Sequence, residues 1–261
     1  MWESHLLSLE GKTALIVGSK RLGSVVARRL AKERVDLAIA YRESVDEVSA
    51  LISELAPQVD KIHLVQGDIS VESDVERIIS ESVVELGRLW FVINLASDFS
   101  RTPVTELGGS EWDKAMSTAK GNYLIALYAS NHMRNNSEIT KGHILMFGDS
   151  AAGETPNRNY LPYLTAKASI DFMTRAFALE LAGSGILVNA IAPGPVIRHP
   201  GMTEESWMKG VVSNTPLGRE SSSEEIAELV VTLLRSETIT GETIRVDSGS
   251  HLGGHLKSKR Q

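Results

Sequence analysis

The chain has 261 residues, 42% hydrophobic and 23% charged, with a formal net charge of -6 and no cysteine. That is the composition of a folded globule, and its acidic balance, with a pI near 5.7, excludes the basic surface that nucleic acid requires. The lack of cysteine excludes disulfides and thiolate chemistry; Met1 to Leu9 carries no basic flank and no apolar run reaches 18 residues, so a cytoplasmic protein without a membrane span is expected.

Short apolar runs alternate with longer amphipathic ones, as parallel strands joined by crossover helices require. The first strand, Thr13 to Val17, runs into Gly18-Ser19-Lys20-Arg21-Leu22-Gly23, and a helix follows from Leu22 to Glu33. Glycines in such a turn let the backbone approach a pyrophosphate whose charge the first helical amides stabilise, although a plain strand-to-helix turn uses them too. The second strand, Asp36 to Ala40, leads into Tyr41-Arg42-Glu43-Ser44. Arg42 stands where a carboxylate would select the free ribose of NAD, and a guanidinium among hydroxyls suits the 2′-phosphate of NADP instead. Glu43 argues the other way, and Arg42 is otherwise a solvated helix-entry residue.

Further on, helices are expected over Asp46 to Ala56, Asp74 to Leu86, Glu111 to Arg134, Tyr163 to Ala182 and Glu224 to Leu234, the last opened by a Ser222/Glu225 capping box. Strands alternate with them at Lys61 to Gln66, Leu89 to Asn94, His143 to Phe147, Leu187 to Ile191 and Thr243 to Val246. No internal repeat or linker divides the chain. The expectation is one α/β domain over residues 1–261, a Rossmann-type doubly wound fold with a seven-stranded parallel sheet.

Tyr163 and Lys167 carry the chemistry. Four-residue spacing on a helix stacks a phenol and an ammonium on one face, and the ammonium favours the phenolate, lowering the phenol pKa toward the range of a general acid.

Together these residues resemble the short-chain dehydrogenase/reductase family over essentially the whole length. The matches are the glycine turn, Gly67-Asp68-Ile69, Asn94-Leu95-Ala96-Ser97, Tyr163 with Lys167, Val188-Asn189-Ala190-Ile191-Ala192-Pro193-Gly194, Ile239-Thr240-Gly241-Glu242-Thr243 and Val246-Asp247-Ser248-Gly249. The resemblance implies that Asp68 bonds the adenine amino group and Ile69 flanks the ring, while Asn94 steadies the central strand beside the cofactor, which Ala96 also lines. It implies that Lys167 holds the nicotinamide ribose, that Tyr163 protonates the oxygen or nitrogen gaining charge as NADPH delivers hydride, and that Pro193, Gly194 and Val196 pass the nicotinamide. Turn capping accounts equally for Asp68 and Asn94, and a tight loop for Pro193 and Gly194.

Lys20-Arg21-Leu22-Gly23, Tyr41-Arg42-Glu43-Ser44, Ala96-Ser97-Asp98-Phe99 and Asp149 are similar to the pteridine reductases within that family. This implies that Asp149 relays a proton through Tyr163 to a pterin nitrogen, that Phe99 stacks on the heterocycle and that Arg21 and Ser97 touch it. Counting back from Tyr163 nominates Ser150 instead of Asp149, and both stand. Phe99 is otherwise a core or lid aromatic.

Three departures from the family pattern stand out. The glycine turn is one residue short, with Arg21 where many members have glycine. Thr118 occupies the slot of the usual relay asparagine, with Asn122 one helical turn on. Leu95 follows Asn94 in place of a second asparagine. Residues 197–215 lie where the family places a substrate-covering loop, in which Trp207 contacts substrate or, like Met208, packs on the body. His199, His251 and His255 lack metal-ligand spacing, so no metal is expected, and the basic tail from Leu256 to Gln261 is expected to fray.

The resemblance implies a homotetramer or homodimer through the helices holding Phe172, Ala176, Leu179 and Ala182, an apolar stripe that core packing would also use. The function implied is NADPH-dependent reduction of a carbonyl or imine in a small molecule, a pterin being the sharper expectation. A 3-oxoacyl-carrier-protein reductase and a non-catalytic NADPH-binding scaffold are the alternatives.

Overall fold

A computed structural model describes residues 6–43, 45–153, 155–198 and 201–252. The elements are β1 (Thr13–Val17), α1 (Leu22–Lys32), β2 (Asp36–Tyr41), α2 (Val45–Leu55), β3 (Ile62–Gln66), α3 (Glu72–Leu86), β4 (Phe91–Asn94), α4 (Gly109–Met133), β5 (Gly142–Phe147), α5 (Leu161–Ala182), β6 (Ile186–Pro193), α6 (Glu204–Gly210), α7 (Ser223–Arg235) and β7 (Thr243–Val246). The seven strands form one sheet in the order β3-β2-β1-β4-β5-β6-β7, every pair parallel. Ser44 and the tail from Leu256 to Gln261 fall outside the described residues, as do His199 and His255.

Strands β1, β4 and β5 are buried along their whole length, which explains why they read as unbroken apolar runs rather than alternating ones. Helices cover both faces. Val26, Leu30, Val230 and Leu234 of α1 and α7 pack on one face, and Val75, Ile79, Ile125 and Ile170 of α3, α4 and α5 on the other.

Observed and expected bounds differ for physical reasons. Helix α5 opens at Leu161 because Pro162 is tolerated in a first turn, whose amides need no helical acceptor. The cap of α7 closes differently from the expected box: Ser222 Oγ accepts from the amides of Glu224 (3.1 Å) and Glu225 (3.2 Å), and it donates to the Glu224 carboxylate rather than meeting that of Glu225. Within the expected covering segment, α6 begins with Thr203 Oγ1 accepting from the Ser206 amide. No helix among the described residues is long and apolar enough to cross a membrane.

Register brings the carboxyl ends of β1, β4, β5 and β6 side by side: Val17 pairs with Asn94, Asn94 with Met146, and Phe147 with Ile191. Between β1 and β4 the strand order reverses direction, so the crevice for a ligand lies outside that edge.

Candidate active site

The turn from β1 into α1 is set by steric necessity. Gly18 has φ +92°, and a Cβ there would lie 2.9 Å from the Ala96 nitrogen; one at Gly23 would lie 1.8 Å from the Gly18 oxygen. The loops after β1 and β4 therefore touch through backbone. Arg21, at φ 49° and ψ -110°, occupies a conformation that L-residues avoid, at a cost of about 1–3 kcal/mol, which explains why glycine is common there. Ser19 is buried, Leu22 packs on the core, and exposed Lys20 reaches Glu47 at 3.5 Å.

At the end of β2, Tyr41 packs on the core while the Arg42 guanidinium lies 3.0 Å from Glu43 and 3.7 Å from Asp68. Arg42 is 64% exposed in its side chain, and exposed pairs contribute at most about 1 kcal/mol, so these carboxylates leave the cation free to take a stronger anion. Asp68 accepts from the Ser70 amide (2.9 Å), the turn-capping role foreseen for it, and Ile69 is clamped where a Cβ on Gly121 would lie 2.5 Å away. Asn94 is likewise a cap: its Oδ1 accepts from the Ala96 amide (3.1 Å), while its buried Nδ2 has no partner among the described residues.

Tyr163 and Asp149 meet directly, the phenol donating to Asp149 Oδ2 at 2.7 Å. Asp149 is aimed by its own turn, with Oδ1 accepting from the Ala151 amide (2.8 Å). Ser150 is buried nearby, its amide bound to the Pro193 carbonyl (3.1 Å), and it makes no hydrogen bond to Tyr163. Of the two candidates, the fold brings the aspartate to the phenol.

One expectation is overturned. Lys167 does not lower the Tyr163 pKa: burial, then the Asp149 charge and hydrogen bond, push the phenol well above its ordinary value, against a smaller opposing effect of Ser97. The Lys167 ammonium lies 6.0 Å from the Tyr163 ring centroid and donates to the Phe147 carbonyl at 2.7 Å. Its own pKa is pulled down to about 8 by burial, with Asp149 opposing. The phenol is thus held as an acid carrying its proton.

Phe99 sits over this pair, 5.0 Å from the Tyr163 ring edge-on and 4.9 Å from the Tyr160 ring at 33°. It is 46% exposed, which removes the core reading. Tyr160 was not singled out in the sequence; its place one turn before Tyr163 is the signal that would have found it. Gly194 admits no side chain, since a Cβ would lie 2.5 Å from that of Asp247, and Val196 packs on the core. Trp207 is buried and donates its indole N–H to Glu220 (2.8 Å), so it fastens the covering segment to the stretch that follows it. Thr118 offers only its carbonyl, to Asn122 Nδ2 (3.0 Å), and the buried Oδ1 of Asn122 is unpartnered among the described residues. No metal-binding cluster occurs among the described residues.

Comparison with known proteins agrees with this geometry. Residues 18–251 match the family model described as enoyl-(acyl carrier protein) reductase. The hydroxynaphthalene reductase-like protein Arp2 of Metarhizium anisopliae is 29% identical, over 93% of this chain and 96% of its own. The short-chain reductase protein NovJ of Streptomyces niveus is 30% identical, over 90% and 92% respectively. Among solved structures, the FolM alternative dihydrofolate reductase 1 of Brucella suis, in complex with NADP, superposes with a TM-score of 0.85 at 26% identity, over 94% of this chain and 97% of that one. Fold, crevice and sequence together place this chain in the short-chain dehydrogenase/reductase family, within the branch covered by the enoyl-(acyl carrier protein) reductase model.

Proposed function

We propose that this protein is an NADPH-dependent reductase that adds hydride to a carbonyl or imine of a flat small molecule, with a pterin as the substrate class. The observation that carries the reading is the 2.7 Å contact of Tyr163 with Asp149 beneath the exposed ring of Phe99. A dinucleotide fits the residues present. Gly18 and Gly194 keep the crevice free of side chains, the amides opening α1 suit a pyrophosphate, and Arg42 with Lys20 suits a 2′-phosphate. When bound, NADPH supplies the hydride.

This chain's residues handle the proton. Phe99 and Tyr160 orient a planar ring, and Ser97 lies at its edge. As charge develops on the reacting oxygen or nitrogen, the Tyr163 phenol releases its proton to that atom, and Asp149 is the group through which the phenol is recharged. Lys167, still cationic below pH 8, offsets the negative charge left on the phenol oxygen. In this reading α4 and α5, with Phe172 and Leu179 exposed, join copies into a homotetramer or homodimer.

The test is NADPH oxidation by purified protein with dihydropterins, quinonoid dihydropterins and 3-oxoacyl thioesters. Turnover of a pterin, reduced at least about 100-fold in Tyr163→Phe, is expected. Turnover of the thioester alone would make the chain a 3-oxoacyl-carrier-protein reductase. Thr118 in the relay slot favours a second reading, a scaffold that binds NADPH without turnover on any of these.

A further inference from the structure

Lys114 of α4 gathers the chain on both sides of Phe99. Its ammonium lies 2.9 Å from Asp98 Oδ2 and donates to Ser100 Oγ at 3.4 Å, while the Ser100 hydroxyl donates to Asp98 Oδ1 at 3.1 Å. The three side chains close a triangle, and its two loop corners are the immediate neighbours of the aromatic ring. Both oxygens of the Asp98 carboxylate are therefore engaged in holding the loop after β4, away from the proton chemistry of Tyr163 and Asp149.

The helix behind this clamp is itself fixed to the site. Ala115 and Ala119 of α4 share a buried cluster with Ala166 of α5, one turn beyond Tyr163. Lys114, next to Ala115, thus ties the Phe99 loop to the helix pair that carries the phenol. On its other side the loop is met by the segment before α5: the Thr102 amide donates to the Asn159 carbonyl at 2.8 Å, and the Phe99 ring meets those of Tyr160 and Tyr163. About half of the Phe99 ring is open to solvent, so its place depends on what holds the loop rather than on core packing.

We infer that Lys114 is a positioning residue for the planar substrate: by clamping Asp98 and Ser100 it holds the Phe99 ring over Tyr163. The inference rests on the planar-ring reading above and adds the group that sets the ring in place. Lys114 acts through Phe99 and not on the reacting atoms. The side chains of Lys114 and Asp98 are 64% and 37% exposed, so the pair is open to screening by salt and its loss costs at most about fivefold in binding.

The experiment is steady-state reduction of 6-methyl-7,8-dihydropterin at saturating NADPH. Lys114→Met raises KM for the pterin about three- to fivefold and leaves kcat unchanged, and Lys114→Arg, which keeps the cation, restores most of the loss. In a Phe99→Leu background Lys114→Met adds nothing to KM, whereas a merely structural role would add its effect in full. Raising NaCl from about 50 to about 500 mM moves the wild-type KM toward that of Lys114→Met and leaves the variant where it is. An unchanged KM in Lys114→Met, or the same rise with and without Phe99, overturns the inference and leaves the pterin reading standing. If no pterin is turned over, the pterin reading fails, and amide hydrogen exchange of the NADP-loaded protein decides the clamp. Exchange at least about threefold faster across residues 98–102 alone in Lys114→Met supports the inference; unaltered exchange, or faster exchange throughout the chain, overturns it.

Discussion

At position 167 an ammonium is buried to 3% exposure, with one backbone carbonyl as its hydrogen-bond partner among the described residues and a pKa near 8 against an ordinary 10.5. The folded value lies below the unfolded one, so the charged lysine opposes folding fully below pH 8, and that opposition fades as pH rises from 8 to 10.5. The depression corresponds to about 3 kcal/mol, and losing the bond to Phe147 gives back about 1 kcal/mol. Lys167→Met should therefore be more stable by about 2 kcal/mol at pH 7 while losing turnover. Urea unfolding at pH 7 and pH 10 checks this, the gain shrinking at the higher pH; a destabilised variant at pH 7 would contradict it. The same site shows where reading a sequence stops. Spacing alone puts Tyr163 and Lys167 on one face, yet the direction of the phenol pKa depends on burial and on Asp149, whose arrival is decided by how the chain turns after β5.

Element by element, the strands were legible because both sheet faces are covered, leaving apolar runs bounded by turn residues. The start of α5 was not, since Pro162 reads as a breaker unless it falls in the first turn, and α6 is too short for periodicity to show. Strand β5 carries a feature with no sequence signature, the fully buried His143, both ring nitrogens without partners among the described residues. Burial, then Lys12, holds its pKa down to about 3 against 6.5. The unfolded chain takes up the proton first as pH falls, so stability is lost between pH 6.5 and 3 by up to about 1.4 kcal/mol per pH unit. His143→Leu should flatten this acid slope and be neutral or stabilising at pH 7, as urea midpoints at pH 7 and 4.5 would show. An unaltered slope would assign the acid sensitivity elsewhere.

Across the whole molecule, exposed apolar residues cluster on helices α4 and α5. Phe172 is 66% exposed and Leu179 80%, with Trp112 and Tyr123 near half. Large apolar patches of this kind mark association surfaces. Phe172→Glu with Leu179→Glu should convert the proposed homotetramer or homodimer to a monomer in sedimentation velocity, whereas a monomeric wild-type protein would contradict the assembly. The stripe was visible in the sequence, but only the fold separates an outward stripe from one facing the sheet.

The Trp207 bond to Glu220 bears on how anything gets in or out. It ties Trp207 to a residue beyond the covering segment, and that stretch is held to the body as well, by the Ser221 amide on the Pro195 carbonyl at 2.8 Å and the Leu217 amide on the Ser248 carbonyl at 3.2 Å. A cover fastened in this way keeps its shape through several ties at once, and lifting it means letting all of them go together.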